Sequence, residues 1–395
     1  MIRWMGWILA FVLTVSTTVA DTFIPKSGGT ALHGYLTSHT DGQKTVVITQ
    51  EQGQLSVNLS DYKIQPDSRG RQPHIGLISL PGEIELETET TAFEKAVVEE
   101  ADCGPLCLII EIDSPGGRVD LVKRMCSALS SVKYCPTVAY VRGGKHGGAY
   151  SGGAVVAVAC SKLYMAKDTA IGAASMIIHT DKTGPVDLKK VLGEEVGEKM
   201  NSAWRNYVGS LAELNNRPGL LAKAMVDKEI AVVEILHNGK RQFVEPFNQQ
   251  TGDKIVKTWS RKGTLLTLTA MEAVQCGIAD GIAASRDDLL SAMKAPSVPI
   301  QENGRMAEAR KQFEDILKRF KKIDDSLDLR MKQLGTFSNT VPRAQVLKTF
   351  QGVLQEIRAL IRMVQTCPDL PYSQEDLQAA LNAVQAQYDA IRMAR

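Results

Sequence analysis

The sequence lacks any marked charge imbalance. Its 46 lysines and arginines face 44 aspartates and glutamates, a formal net charge of +2 at pH 7. Without a basic excess there is no electrostatic footprint for nucleic acid, so none is expected as a partner. The mixed charge and moderate apolar fraction suit a soluble globular chain. Beyond the N-terminal segment, long apolar runs are missing too. No later stretch reaches the ~20 residues that a membrane-spanning helix needs. Zinc-ligand spacing is also absent. Cys103, Cys107, Cys126, Cys135, Cys160, Cys276 and Cys367 include no Cys-x-x-Cys pair, and no histidine cluster lies near them. No metal or other cofactor is expected. An odd number of cysteines leaves at least one thiol unpaired, and no connectivity follows from the spacing.

The N-terminal segment is the exception. Residues 1–20 run from Arg3 through Trp7-Ile8-Leu9-Ala10-Phe11-Val12-Leu13 to Ser16-Thr17-Thr18-Val19-Ala20. A charged start, a short apolar stretch and small residues before a cleavage point read as a secretory signal, with cleavage expected before Asp21. The mature chain is then exported, periplasmic or otherwise extracytoplasmic, where disulfides are permitted.

Two motifs carry chemistry. The first is Gly147-Gly148-Ala149-Tyr150-Ser151-Gly152-Gly153-Ala154, set between the strand-like Pro136–Val141 and the small apolar run Ala154–Ala159. A strand that breaks at glycines and enters a helix at a serine places that hydroxyl among unpaired amides at the positive end of the helix dipole. Acyl transfer needs this arrangement, and a helix N-cap needs it as well. The second motif is Asp113-Ser114-Pro115-Gly116-Gly117, which ends the apolar strand Leu108–Ile112. Pro115 fixes φ and the two glycines admit backbone closed to other residues, so the turn can aim an N–H at a neighbouring cleft. Next to Pro115, Ser114 reads as a turn residue.

These motifs, with Lys162–Ala166, Thr169–Ala174, Gly263–Ala270 and Gly277–Gly281, resemble the ClpP/crotonase fold. The likeness is to the NfeD-like serine peptidases, relatives of signal peptide peptidase A. It runs from about Ile75 to Ala284, roughly half of the chain. The resemblance implies a serine nucleophile, Ser151, with a backbone oxyanion hole from Gly152 and from Gly116 and Gly117. It also implies a lysine base on a helix ahead of a Ser-Leu-Ala triplet. Lys199 holds that place before Ser210-Leu211-Ala212, with Lys182, Lys189 and Lys190 as alternatives. A lysine base must be neutral, which ordinarily requires burial in an apolar pocket. ClpP instead carries a histidine on the strand after its nucleophile helix. Here that stretch, Ala170–Ala174, has none. His179 is the alternative base, and His146 precedes the nucleophile loop. The implied partners are a polypeptide substrate, hydrophobic or membrane-derived as the family suggests, and further copies of the chain. Membrane association is expected on the same ground.

The expected fold class is α/β, a ClpP/crotonase-type spiral of ββα units over residues 71–294. A small β-meander precedes it over 21–70, read from short alternating segments punctuated by Asp41-Gly42 and Gln52-Gly53. Inside the central unit, Asn238-Gly239 predicts a hairpin between Ile230–Leu236 and Arg241–Val244. A linker over 295–303 leads to a helical hairpin or bundle over 304–395, where apolar residues recur at three- and four-residue steps. Two functions fit. One is an exported endopeptidase with a Ser-Lys dyad. The other is a catalytically silent scaffold of the same fold, binding partners through its β-meander and helical tail. A crotonase-type acyl-CoA enzyme ranks third, since an exported chain meets no evident CoA supply.

Overall fold

The computed structural model describes residues 21–41, 43–49, 51–65, 74–133, 135–180, 184–296, 298–337 and 341–393. The signal-like segment 1–20 and Lys182 lie outside these residues. No helix among the described residues is long and apolar enough to cross a membrane.

Strands β1 (Asp21–Pro25), β2 (Leu32–Asp41), β3 (Lys44–Thr49), β4 (Gly53–Val57) and β5 (Tyr62–Gln65) form an antiparallel sheet in the order β4-β3-β2-β1-β5. Its own small core holds Phe23, Leu32 and Val47.

A six-stranded parallel sheet follows. It is built from β6 (Ile75–Pro81), β7 (Leu108–Asp113), β8 (Thr137–Val141) and β10 (Lys162–Met165). The short β18 (Gly281–Ile282) and β19 (Ile300–Asn303) flank these strands, giving the order β18-β10-β8-β7-β6-β19. The central strands are almost continuously apolar because both faces are covered, as parallel sheets require. Helices α1 (Glu87–Cys103), α2 (Val119–Ser131) and α3 (Gly152–Ala159) pack into the main core with the sheet. The stretch read as a linker thus ends in a strand: β19 pairs with β6 and ties the end of the central unit back to its first strand.

A second, three-stranded sheet comprises β9 (Gly148–Tyr150), β11 (Ala170–Gly172) and β17 (Thr267–Thr269). Between β11 and β17 the chain makes a hairpin of β12 (Ile177–Thr180) and β13 (Gly184–Asp187), then helices α4 (Leu188–Leu192), α5 (Glu194–Leu214) and α6 (Gly219–Val226). There follows an antiparallel sheet of β14 (Val232–His237), β15 (Lys240–Val244) and β16 (Lys254–Ser260). The expected Asn-Gly hairpin joins β14 to β15, with Asn238 at φ 51° and Gly239 at φ 76°. Helix α7 (Ala270–Cys276) opens with a Thr269–Glu272 capping box, and α8 (Arg286–Ala292) precedes β19. Finally α9 (Arg305–Thr336), α10 (Arg343–Thr366) and α11 (Gln374–Met393) close on a core centred on Phe320, Phe350, Ile357 and Leu360.

Candidate active site

Ser151 stands between β9 and α3 at φ 50° and ψ −123°. Holding a residue with a side chain in this region costs on the order of 1–3 kcal/mol, so the surroundings must impose it. They do so through the backbone. The Ser151 N–H donates to the Gly172 carbonyl at 2.9 Å, and its own carbonyl accepts from Ala154 N–H at 3.1 Å. Every residue of α3 is buried. Its glycines, alanines and valines let the helix thread the core while its N-terminus meets a cleft. The first amides of a helix have no partner within it, and Gly152 N–H, next to the serine, makes no hydrogen bond among the described residues.

The turn after β7 forms the facing wall. Asp113 organises the loop before Ser151, accepting from His146 N–H at 3.1 Å and Gly148 N–H at 3.2 Å. Ser114 is fully buried, and its hydroxyl donates to the Gly82 carbonyl at 2.6 Å. That hydroxyl also accepts the Gly116 N–H at 3.1 Å. The Gly116 amide is therefore committed, which corrects its expected place as an oxyanion donor. Gly116 serves by being small. A Cβ there would lie 2.4 Å from the Ser151 Cβ, and its φ of 102° suits glycine. The Gly117 N–H has no partner among the described residues, and a Cβ built on Gly152 would lie 3.3 Å from the Gly117 nitrogen. Two amides with no partner among the described residues, on Gly117 and Gly152, thus belong to the same cleft lining as Ser151. Sequence reading treated Ser114 as a turn residue and gave no role to Asp113, since neither contact has a local signature.

The cleft holds about 910 Å³. Met176, Ile178 and Trp204 supply an apolar wall, and Glu83, Glu85 and Asp120 lie on its rim with Arg118. Trp204 is buried, and its indole N–H donates to the Ala174 carbonyl at 2.9 Å.

The expected base does not enter this cleft. Lys199 lies on α5 but is exposed, and it does not line the cavity. Trp204, which does, is about 140° around the helix axis from it. Lys199 thus lacks the burial that a neutral base ordinarily requires, because the buried face of α5 is taken by Trp204, Val208, Leu211 and Ala212. Lys189 pairs with Glu194 at 2.9 Å and Glu198 at 2.8 Å, and the two carboxylates push its pKa upward, the opposite of what a neutral base requires. Lys190 is exposed on α4. His179 lies in β12, but its side chain is outside the described residues. His146 does not line the cleft. Among the described residues, the cleft wall contains no lysine or histidine side chain.

Comparison with known proteins bears on this geometry. Residues 78–250 match the model of the NfeD1b N-terminal domain. Over this segment the chain is similar to that domain. The chain is 26% identical over 205 residues to the membrane protein NfeD1b of Bacillus subtilis, covering 52% of this chain and 38% of that protein. It is 27% identical over 125 residues to the membrane-bound protease PH1510 of Pyrococcus horikoshii, covering 32% of this chain and 26% of that one. The chain therefore spans well under half the length of either relative. Among solved structures, it is similar to a serine-to-alanine mutant of the 1510-N membrane-bound stomatin-specific protease. That likeness has 19% identity and a TM-score of 0.43, over 59% of this chain and 98% of the other. A ClpP1 mutant from Listeria monocytogenes is similar at 15% identity and a TM-score of 0.31, over 54% of this chain and 94% of the other.

Proposed function

We propose that this chain is a serine peptidase with Ser151 as nucleophile. Its Oγ attacks the scissile carbonyl of a polypeptide, the amide C–N bond breaks, and water then releases the acyl group. The amides of Gly117 and Gly152 hold the oxyanion, the kind of preorganised donor pair whose members are each worth about 2.7–4 kcal/mol in acyl transfer. One observation carries the reading: a serine at positive φ, in a cleft it shares with two amides that have no partner among the described residues.

The base in this proposal is Lys199, by its place ahead of Ser210-Leu211-Ala212. It must leave water to lose its proton. Val191, Leu192, Val196 and Met200, on the same stretch as Lys199, are all exposed. Packing that stretch against substrate or a second copy would bury them and desolvate the ammonium. Export through residues 1–20 belongs to the same proposal, and the mature N-terminus read by mass spectrometry tests it.

The second reading, a silent scaffold, is favoured by the exposure of Lys199 and the double pairing of Lys189. Fluorophosphonate labelling separates the two. A peptidase is acylated at Ser151, and Ser151→Ala is not. Equal labelling of both proteins, or of neither, supports the scaffold.

A further inference from the structure

The helical tail reaches the proposed active site through one carboxylate. Helix α1 begins beside the cleft rim, but its N-cap residue is Leu86, which offers no side-chain acceptor. The missing cap comes from 282 residues away in sequence: Asp369 accepts the Glu87 N–H at 2.6 Å. It also accepts the Thr88 N–H at 2.9 Å and the Thr88 hydroxyl at 2.7 Å. Asp369 is held in the α10–α11 connection between Cys367 and Leu370, both buried in the bundle core. A second tie runs nearby. Arg310 of α9 forms a two-pronged ion pair with buried Glu89, one arm at 2.8 Å. Its guanidinium lies against Gly82, where a Cβ would sit 3.4 Å from Nη1.

The segment so held, residues 82–89, is the hydrogen-bonded neighbour of the oxyanion turn. Ile84 N–H donates to the Gly116 carbonyl at 2.8 Å, and Arg118 N–H donates to the Ile84 carbonyl at 2.9 Å. Ile84 and Gly117 form a parallel bridge. The Gly82 carbonyl anchors the Ser114 hydroxyl, which holds the Gly116 amide. The Ser114 backbone is also paired with Gly148 and Tyr150, but the hydrogen bonds on either side of Gly117, at Gly116 and Arg118, come from a segment pinned by the tail.

We infer that Asp369 is a positioning residue for the oxyanion turn, acting through α1 and Ile84, so that the tail is part of the active-site support. The catalytic side of this inference rests on the peptidase reading. Its structural side does not, and the experiment reads the two separately. Full-length wild type, Asp369→Ala and Asp369→Asn are compared by amide hydrogen exchange and by fluorophosphonate acylation of Ser151. In Asp369→Ala, exchange should quicken in peptides covering 82–89 and 112–118 and stay unchanged in the remote strands at 32–57. The maximal acylation rate should fall on the order of ten- to hundredfold, as for a misplaced catalytic group, while the half-saturating inhibitor concentration holds. Asp369→Asn keeps an acceptor oxygen and should show a smaller change in both readouts. It carries the test if the alanine variant does not fold. Unchanged exchange at 112–118 overturns the inference whatever the labelling shows. Faster exchange there with an unlabelled wild type upholds the coupling and sinks the peptidase reading instead. Faster exchange with an unaltered acylation rate overturns the positioning role.

Discussion

The cleft around Ser151 and the lysine-bearing stretch of α4 and α5 are built on different principles. On the Ser151 side, α3 is buried throughout, the Ser151 backbone is hydrogen-bonded on both faces, and neighbouring glycines approach too closely for any side chain. That geometry is set by main chain and core, and it stands whether or not substrate is present. Outside the cleft wall, α4 and the first turns of α5 carry exposed Lys190 and Lys199 and half-buried Lys189 beside Glu194, Glu195 and Glu198. Exposed charges there cost little to move, and surface ion pairs are worth about 0–1 kcal/mol. The contrast teaches that backbone geometry around a serine can be complete in an isolated chain while a lysine proposed as its base still needs something to bury it.

The largest effect should come from the rigid side. If Ser151 is the proposed nucleophile, Ser151→Ala should lower peptide hydrolysis at least 10³-fold, with thermal unfolding close to wild type. Hydrolysis that survives in purified Ser151→Ala protein breaks the assignment.

The lysine-bearing stretch gives the next test. If Lys199 takes the proton, Lys199→Ala and Lys199→Arg should each cut turnover on the order of 10²-fold or more, since arginine stays protonated and cannot serve. His179→Ala should leave most activity. The reverse pattern would move the base to His179.

Packing on the Ser151 side can be broken directly. A Cβ at Gly117 would stand 2.1 Å from the Ile84 carbonyl oxygen. Gly117→Ala should destabilise the protein by about 2–3 kcal/mol, within the range for an overpacked site. It should also lower acylation of Ser151. A melting temperature within a degree of wild type would show that the turn adapts more freely than described.

The smallest effect concerns thiols flanking α3. Burial pushes Cys126 and Cys160 up to about 12 from the ordinary 9.0. A raised folded pKa means that their contribution to stability is complete below the ordinary thiol value and is lost as pH rises from there through 12. Both thiols should resist an aromatic disulfide reagent at pH 8 while exposed Cys103 reacts at once. Unfolding midpoints should decline above about pH 9. Rapid reaction of Cys126 at pH 8 would mean that the Ser151 side opens as readily as the other.

Much of this was legible beforehand because it depends on short-range chemistry. The apolar runs of β7 and β8, the glycine-flanked Ser151, the Asn238-Gly239 turn and the three apolar helical stripes each declare themselves within a few residues. The contacts that were not legible are long in sequence. Asp369 capping α1, β19 joining β6 and the Ser114 hydroxyl bridging Gly82 and Gly116 pair groups with no local reason to meet. The Lys199 expectation came from position along the chain, which sets the helix and not the face presented to the cleft.

The sequence by itself determined the strands, the helices and the turn chemistry that brings a serine to a helix N-terminus, because propensity, periodicity and glycine stereochemistry act over neighbouring residues. Only the tertiary structure decided which amides remain free around that serine, which lysines stay in water and which distant carboxylate caps the helix at the cleft rim. Those outcomes depend on burial and on which backbone groups find partners, and both are settled only when the whole chain packs.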